Sequence, residues 1–171
     1  EPSGFPLPGP TGRNGFPHPT GVSDGYTPPF VAHTQVRFNN FPFSRNDPWL
    51  PAGTTKTTGN NVDAFANIAT PDNFGPADPA ECSTAGAVQL YDFHACVIGR
   101  EQFDYLHDPT LTPAANKTQV MAAVTNLFYM NNFLHDWFYD AGFNEASGNA
   151  QTNNFGRGGL GNDSIFAEAQ D

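Results

Sequence analysis

The sequence predicts a loop-rich α+β fold in which one long, aromatic-rich helix packs on a mixed or antiparallel sheet. Three observations carry that prediction. Apolar residues recur at helical spacing through residues 113–141. Short β-compatible runs lie on both sides of that stretch. The 17 glycines and 16 prolines among 171 residues leave little room for regular structure between these elements.

Taken in order, residues 1–30 hold Pro2, Pro6, Pro8, Pro10, Pro17, Pro19, Pro28 and Pro29 with glycines between them. Such a run can be neither a helix nor a central strand, so it reads as an extended arm. Its aromatics Phe5, Phe16, Tyr26 and Phe30 favour laying the arm on a surface over leaving it solvated. The domain proper is then 31–171. The run VAHTQVRFNN at 31–40 reads as a strand. The segments Phe41-Pro-Phe43 and Asp47-Pro-Trp49-Leu-Pro51 read as turns, and residues 54–61 as polar and turn-like. Asn61-Val-Asp-Ala-Phe65 starts either a strand or a short helix. Residues 70–86 are loop, and Val88–Tyr91 and Phe103–Leu106 are strand candidates.

The helix is the clearest element. Thr112 suits the N-cap, with Pro113 at the first helical position, where a missing N–H costs nothing. Val120, Val124, Leu127, Leu134, Phe138 and Ala141 repeat at 3.6-residue spacing, and Met121, Phe128 and Trp137 widen the face expected to be buried. Gly142 stands where a left-handed C-terminal cap belongs. Beyond it, Ser164–Ala169 reads as a strand.

Seven Lys and Arg against 17 Asp and Glu give a net charge of −10. That balance argues against nucleic acid or an anionic membrane surface as partner, and it suits a secreted protein. No apolar run approaches the roughly 18 residues of a membrane span. The start at Glu1, without a signal-peptide pattern, reads as an N-terminus made by processing or trimming. Cys82 and Cys96 are the only cysteines; outside a Cys-x-x-Cys pair they are read as one disulfide, not as metal ligands.

Few residues carry chemistry. His135, Asp136 and Asp140 form the one titratable cluster of the helix, and read as a polar rim at its end more readily than as a metal or acid–base site. Gly156-Arg-Gly-Gly-Leu-Gly161 lacks the spacing of a phosphate loop; it predicts a turn where one backbone passes close to another. Loop carboxylates Asp72, Asp78 and Glu81 could serve calcium, though without EF-hand spacing. Asn116-Lys-Thr and Asn162-Asp-Ser are N-glycosylation sequons. No His-Glu-x-x-His occurs in the chain.

The second half nevertheless has a specific likeness. Leu127-Phe128-Tyr129, His135-Asp136, Gly142-Phe143, Glu145, Gly148-Asn149, Gly158-Gly159-Leu160-Gly161-Asn162-Asp163 and Ala169-Gln170-Asp171 keep their order and nearly the spacing of a family pattern. On these residues the chain resembles the fungalysin family of secreted zinc metallopeptidases. The likeness covers about 45 residues closely and the first 110 only loosely, through Asn46-Asp47-Pro48-Trp49. It implies a thermolysin-like architecture, with this chain as the N-terminal lobe. It also implies zinc held by the two His of a His-Glu-x-x-His motif and a downstream Glu, with the motif Glu activating water on the metal. None of those ligands can be carried over to a residue here; they are expected beyond Asp171 or on a companion chain. On that reading the catalytic and metal residues of this chain are none, and it is inactive alone. The resemblance gives His135, Asp136, Gly158, Gly159, Gly161, Asn162 and Asp163 structural roles, His135 and Asp136 bracing helix to sheet. It makes protein or peptide the substrate and the C-terminal portion of the peptidase the partner. A secreted non-catalytic binding or adhesion module, or an inactive homologue, is the alternative.

Overall fold

The computed structural model describes residues 44–71, 74–85, 88, 91–100, 102–108 and 110–170. The arm at 1–30, its boundary at 30/31 and the strand expected at 31–40 lie outside them. Among the described residues the elements are β1 (Val62–Ala66), β2 (Phe93–His94), α1 (Lys117–Asp140), a single 3-10 turn (Glu145–Ser147) and β3 (Ile165–Ala169). The sheet order is β2-β1-β3. β1 pairs antiparallel with β2, Phe65 opposite His94. It pairs parallel with β3, Val62 opposite Ile165 through Ala66 opposite Ala169, so the sheet is mixed.

Strand alternation sorts the sheet into two faces. Val62, Ala64 and Ala66 of β1 and Ala167 and Ala169 of β3 are buried against Val120, Met121, Val124 and Phe128 of α1 and against Trp49. Four of the five sheet positions are alanine, which lets the helix settle close. Burying each large partner contributes about 1.5–3 kcal/mol. Gly59 is required for this fit: a Cβ there would stand 2.3 Å from the Trp49 carbonyl and 3.0 Å from the Phe128 ring. The opposite face carries Asp63 and Phe65, with Phe65 edge-on to Phe74 at 5.1 Å and to Phe166 at 6.3 Å.

Three expectations are corrected. The helix begins at Lys117, not 113, and its N-cap is Asn116, whose side chain accepts from the Gln119 N–H at 3.0 Å. Thr112 closes a separate turn instead, its carbonyl accepting from Ala115 N–H. Gln119 pins that turn's approach through two hydrogen bonds to the Asp108 backbone, both 2.7 Å. Phe103–Leu106 forms no strand; Tyr105 instead donates its hydroxyl to the Cys96 carbonyl at 2.5 Å. Of Val88–Tyr91, Val88 is buried and Tyr91 lies in no strand, while 89 and 90 fall outside the described residues.

The third correction concerns the helix face. Its N-terminal half buries Val120, Met121, Val124 and Phe128 as expected, but Leu134, Trp137 and Phe138 point outward at 42%, 60% and 53% exposure. The buried positions of the C-terminal half are Asn132, His135, Asp136 and Tyr139. The helix ends on a Schellman motif: Phe143 N–H bonds the Phe138 carbonyl, Gly142 N–H bonds that of Tyr139, and Gly142 has φ +107°.

Candidate functional site

Two polar clusters brace this frame. The first lies on the sheet face away from α1. The Cys82–Cys96 disulfide, with Cα atoms 5.3 Å apart, holds the turn bearing Glu81 against β2. Closing that 14-residue separation stabilises by about 3 kcal/mol in the chain-entropy model. His94 of β2 then sits between two carboxylates, Nδ1 at 2.5 Å from Glu81 Oε1 and Nε2 at 2.8 Å from Asp63 Oδ1. Lys56 completes the cluster by pairing with Glu81. Burial alone would raise the Glu81 carboxyl, but hydrogen bonds from His94 and Lys56 overcome it and bring the pKa down to about 2. Burial would likewise lower His94, yet its bonds to Asp63 and Glu81 prevail and raise it above its ordinary value. Asp92, fully buried, accepts from the N–H groups of Ile68, Ala69 and Gly75 and so shapes the loop that follows β1.

Alongside, Lys117 at the helix start is 1% exposed. Its ammonium pairs with Asp78, donates to the Ala80 carbonyl at 3.2 Å and lies 5.3 Å from the Phe93 ring centroid. Burial would raise Asp78; the Lys117 hydrogen bond outweighs it and lowers the carboxyl. The calcium reading thus has two of its three carboxylates paired with basic groups of the chain itself, Asp78 with Lys117 and Glu81 with Lys56 and His94. Asp72 lies outside the described residues.

The second cluster anchors the C-terminal half of α1. Of the polar cluster at the helix end, His135 and Asp136 are buried at 3% and 4% exposure, whereas Asp140 is exposed. Trp49 donates its indole N–H to Asp136 Oδ2 at 2.7 Å, and His135 Nδ1 lies 3.2 Å from Asp136 Oδ1. Asp136 therefore ties the helix to the segment before β1. One turn on, Tyr139 donates to Glu145 Oε2 at 2.7 Å, and Asp140 accepts from Ser44 N–H at 3.0 Å. Arg157 pairs with both Glu145, Nε to Oε1 at 2.5 Å, and Asp47, joining three separate loops. Burial raises Glu145, but Arg157 and Tyr139 outweigh it and hold the carboxyl low.

Arg157 belongs to the glycine-rich turn. Gly158 and Gly159 have φ of +87° and +74°. A Cβ on Gly159 would meet the Glu145 carbonyl oxygen at 2.3 Å, and one on Gly161 the Thr152 carbonyl at 3.0 Å. The turn folds back on itself: Asn162 N–H bonds the Thr152 carbonyl, and Asp163 Oδ1 accepts from Gln151 N–H. Asn162 is exposed, whereas Asn116 is half-buried with its amide oxygen engaged as the cap.

Metal chemistry requires unpaired donors. His135 Nε2 is a buried imidazole nitrogen without a hydrogen-bond partner. Among the described residues, however, no group of three or more His, Cys, Asp or Glu could hold a metal ion. These described residues do not fit a zinc site. The pairings of Lys56 with Glu81, Asp63 with His94, Asp92 with the Ile68, Ala69 and Gly75 N–H groups and Arg157 with Asp47 escape the sequence because the partners lie apart along the chain. The pairing of Arg157 with Asp47, 110 positions apart, is the extreme case.

The family model described as fungalysin metallopeptidase (M36) matches residues 28–171. The chain belongs to the fungalysin family. Curated relatives include Extracellular metalloproteinase 1 of Trichophyton rubrum and of Trichophyton equinum, each 49% identical over 70 residues. Extracellular metalloproteinase 5 of Arthroderma otae is 46% identical over 70 residues. The match spans 41% of this chain but 11% of each relative, so the chain corresponds to a small part of their length. As expected for this family, one helix packs on a small mixed sheet. No helix among the described residues is long and apolar enough to cross a membrane.

Proposed function

We propose that this chain is the N-terminal scaffold of a secreted zinc endopeptidase whose metal ligands lie outside residues 1–171, beyond Asp171 or on a companion chain. The observation that carries the reading is the family match over residues 28–171 in a sequence without His-Glu-x-x-His. The names of the extracellular relatives support secretion, and the disulfide suits an oxidising compartment. On this reading zinc, when bound elsewhere in the protein, supplies the Lewis acid that polarises a peptide carbonyl. The chain's own residues position: α1 backs the sheet, the two clusters fix their relative setting, and the glycine-rich turn delivers β3 beside β1. The partner is the C-terminal portion of the same peptidase, the substrate is protein or peptide, and Asn162 is the accessible glycan acceptor.

Zinc content and casein hydrolysis, compared between the 171-residue chain and the complete protein, test the reading. The complete protein should bind zinc and lose hydrolysis on chelation, while the chain alone binds none and hydrolyses nothing. A complete protein that hydrolyses without zinc, or a chain that hydrolyses alone, contradicts it.

A further inference from the structure

Three Asp–Pro steps occur in the sequence, Asp47-Pro48, Asp78-Pro79 and Asp108-Pro109. At such a step the side-chain carboxylate can close a five-membered ring on its own carbonyl carbon, and proline can leave as a secondary amine. The fold treats the three carboxylates differently. Asp47 has both oxygens on Arg157. Asp78 gives Oδ1 to the Ala80 N–H at 2.7 Å and Oδ2 to Lys117. Asp108, which is exposed, takes both the Thr110 N–H at 2.9 Å and the Thr110 hydroxyl at 2.6 Å on Oδ1. These Thr110 bonds, with a smaller contribution from the charge of His107, hold the Asp108 carboxyl below its ordinary value. It therefore stays ionised as the medium turns acid. The scissile carbonyl is held as well. Its oxygen accepts from Gln119 Nε2 at 2.7 Å, while Gln119 Oε1 accepts the Asp108 N–H at 2.7 Å. Gln119, neutral and 2% exposed, is fixed on the first turn of α1. An N–H at that distance from a reacting carbonyl oxygen stabilises the negative charge that develops there.

We propose that the Asp108–Pro109 bond is a self-cleaving site, with Asp108 as nucleophile and Gln119 as oxyanion donor. Asp108 Oδ2 attacks the Asp108 carbonyl carbon, and the carbonyl electron pair moves onto the oxygen held by Gln119. The C–N bond then breaks as a proton from the acid medium reaches the prolyl nitrogen, and Pro109 leaves as a new N-terminus. Water opens the cyclic anhydride and leaves Asp108 as a C-terminal residue with two carboxylates. One water is consumed, and nothing is oxidised or reduced. The cut separates β1 and β2 from α1 and β3. At Asp47 and Asp78 the same attack first has to break both carboxylate oxygens away from their partners.

The test holds the complete protein folded at about pH 4, near the ordinary aspartate value, and follows it by intact mass and N-terminal sequencing. A chelator is present throughout, so that metal-dependent peptidase activity makes no cut and the result is independent of the zinc reading. Fragments beginning at Pro109 should accumulate about tenfold or more faster than fragments beginning at Pro48 or Pro79. Cys82 and Cys96 both precede the cut, so the two pieces separate on a denaturing gel without reduction. In urea at the same pH the preference should vanish, because the Thr110, Gln119, Arg157 and Lys117 bonds are all lost. Gln119→Leu should slow the cut in the folded protein about tenfold, and Pro109→Ala, with its poorer leaving group, should abolish it. Equal scission at the three bonds in the folded protein overturns the proposal. So does a preference for Asp108–Pro109 that persists in urea, or the absence of that cut in the folded protein. The comparison of folded with urea-treated native sequence decides the matter even where a variant fails to fold.

Discussion

Trp49→Phe tests the bond that sets the rotation of α1. The substitution keeps an aromatic ring in the core but removes the N–H that reaches Asp136 Oδ2 at 2.7 Å. Asp136 is 4% exposed and otherwise meets His135 Nδ1 at 3.2 Å, so the carboxylate loses its shortest hydrogen bond without gaining water. A hydrogen bond to a charged group is worth about 1.5–3 kcal/mol, and trimming indole to phenyl in a filled site adds about 1 kcal/mol. The expected cost is about 2.5–4 kcal/mol, or roughly 5–15 °C in melting temperature for a chain of this size. Urea unfolding followed by far-UV circular dichroism measures it. The decisive comparison is a double-mutant cycle with Asp136→Asn, in which the neutral amide weakens the same bond. Trp49→Phe should then cost at least about 1 kcal/mol less in the Asp136→Asn background than in the native one. A coupling indistinguishable from zero would refute the anchoring of α1 through this pair.

The remaining predictions concern the other braces. Glu81, depressed to about 2, contributes stability that is full above its unfolded value of 4.5 and is lost as pH falls toward 2. His94, raised above 6.5, contributes stability that is full below 6.5 and is lost as pH rises through its folded value. Urea midpoints should therefore peak between pH 4.5 and 6.5, and His94→Gln should flatten the alkaline side of that peak; an unchanged profile contradicts the cluster. Lys117→Ala leaves Asp78 buried and unpaired and should cost about 3–5 kcal/mol, part of it recovered by adding Asp78→Ala, as read by chemical denaturation. Gly159→Ala, which drives a Cβ into the Glu145 carbonyl, should cost about 3 kcal/mol or more. Gly158→Ala, with positive φ but open space, should cost only about 1–2 kcal/mol by the same assay.

Much of the local structure was legible because its signals are local. Helical spacing located α1, Gly142 marked its end, β-compatible residues located β3, and the Cys82–Cys96 pair needed only the compartment argument. The N-cap was misplaced because Thr112 and Asn116 both suit the role. Gln119 decides between them by bonding Asp108, which leaves Thr112 to a turn of its own. The sequence placed Leu134 and Phe138 in the core because periodicity assumes that apolar residues face inward. That rule fails when Asp136 is fixed inward by Trp49 and Tyr139 by Glu145, because periodicity carries no information about bonds to residues outside the helix. β2 was missed because two residues give no alternation to detect. Within the site, the glycine turn's close backbone contact could be inferred from its composition, whereas the Arg157 junction required the fold itself.

The central claim is that the histidine and carboxylates braced inside this chain position the scaffold and do not hold the metal. Substituting His135→Ala in the complete protein, and measuring bound zinc by elemental analysis beside the melting temperature, tests it most directly. Zinc content should stay at the native level while the melting temperature falls by several degrees, because a buried ring and its contact with Asp136 are lost. Zinc lost with an unchanged melting temperature would make His135 a ligand and contradict the account.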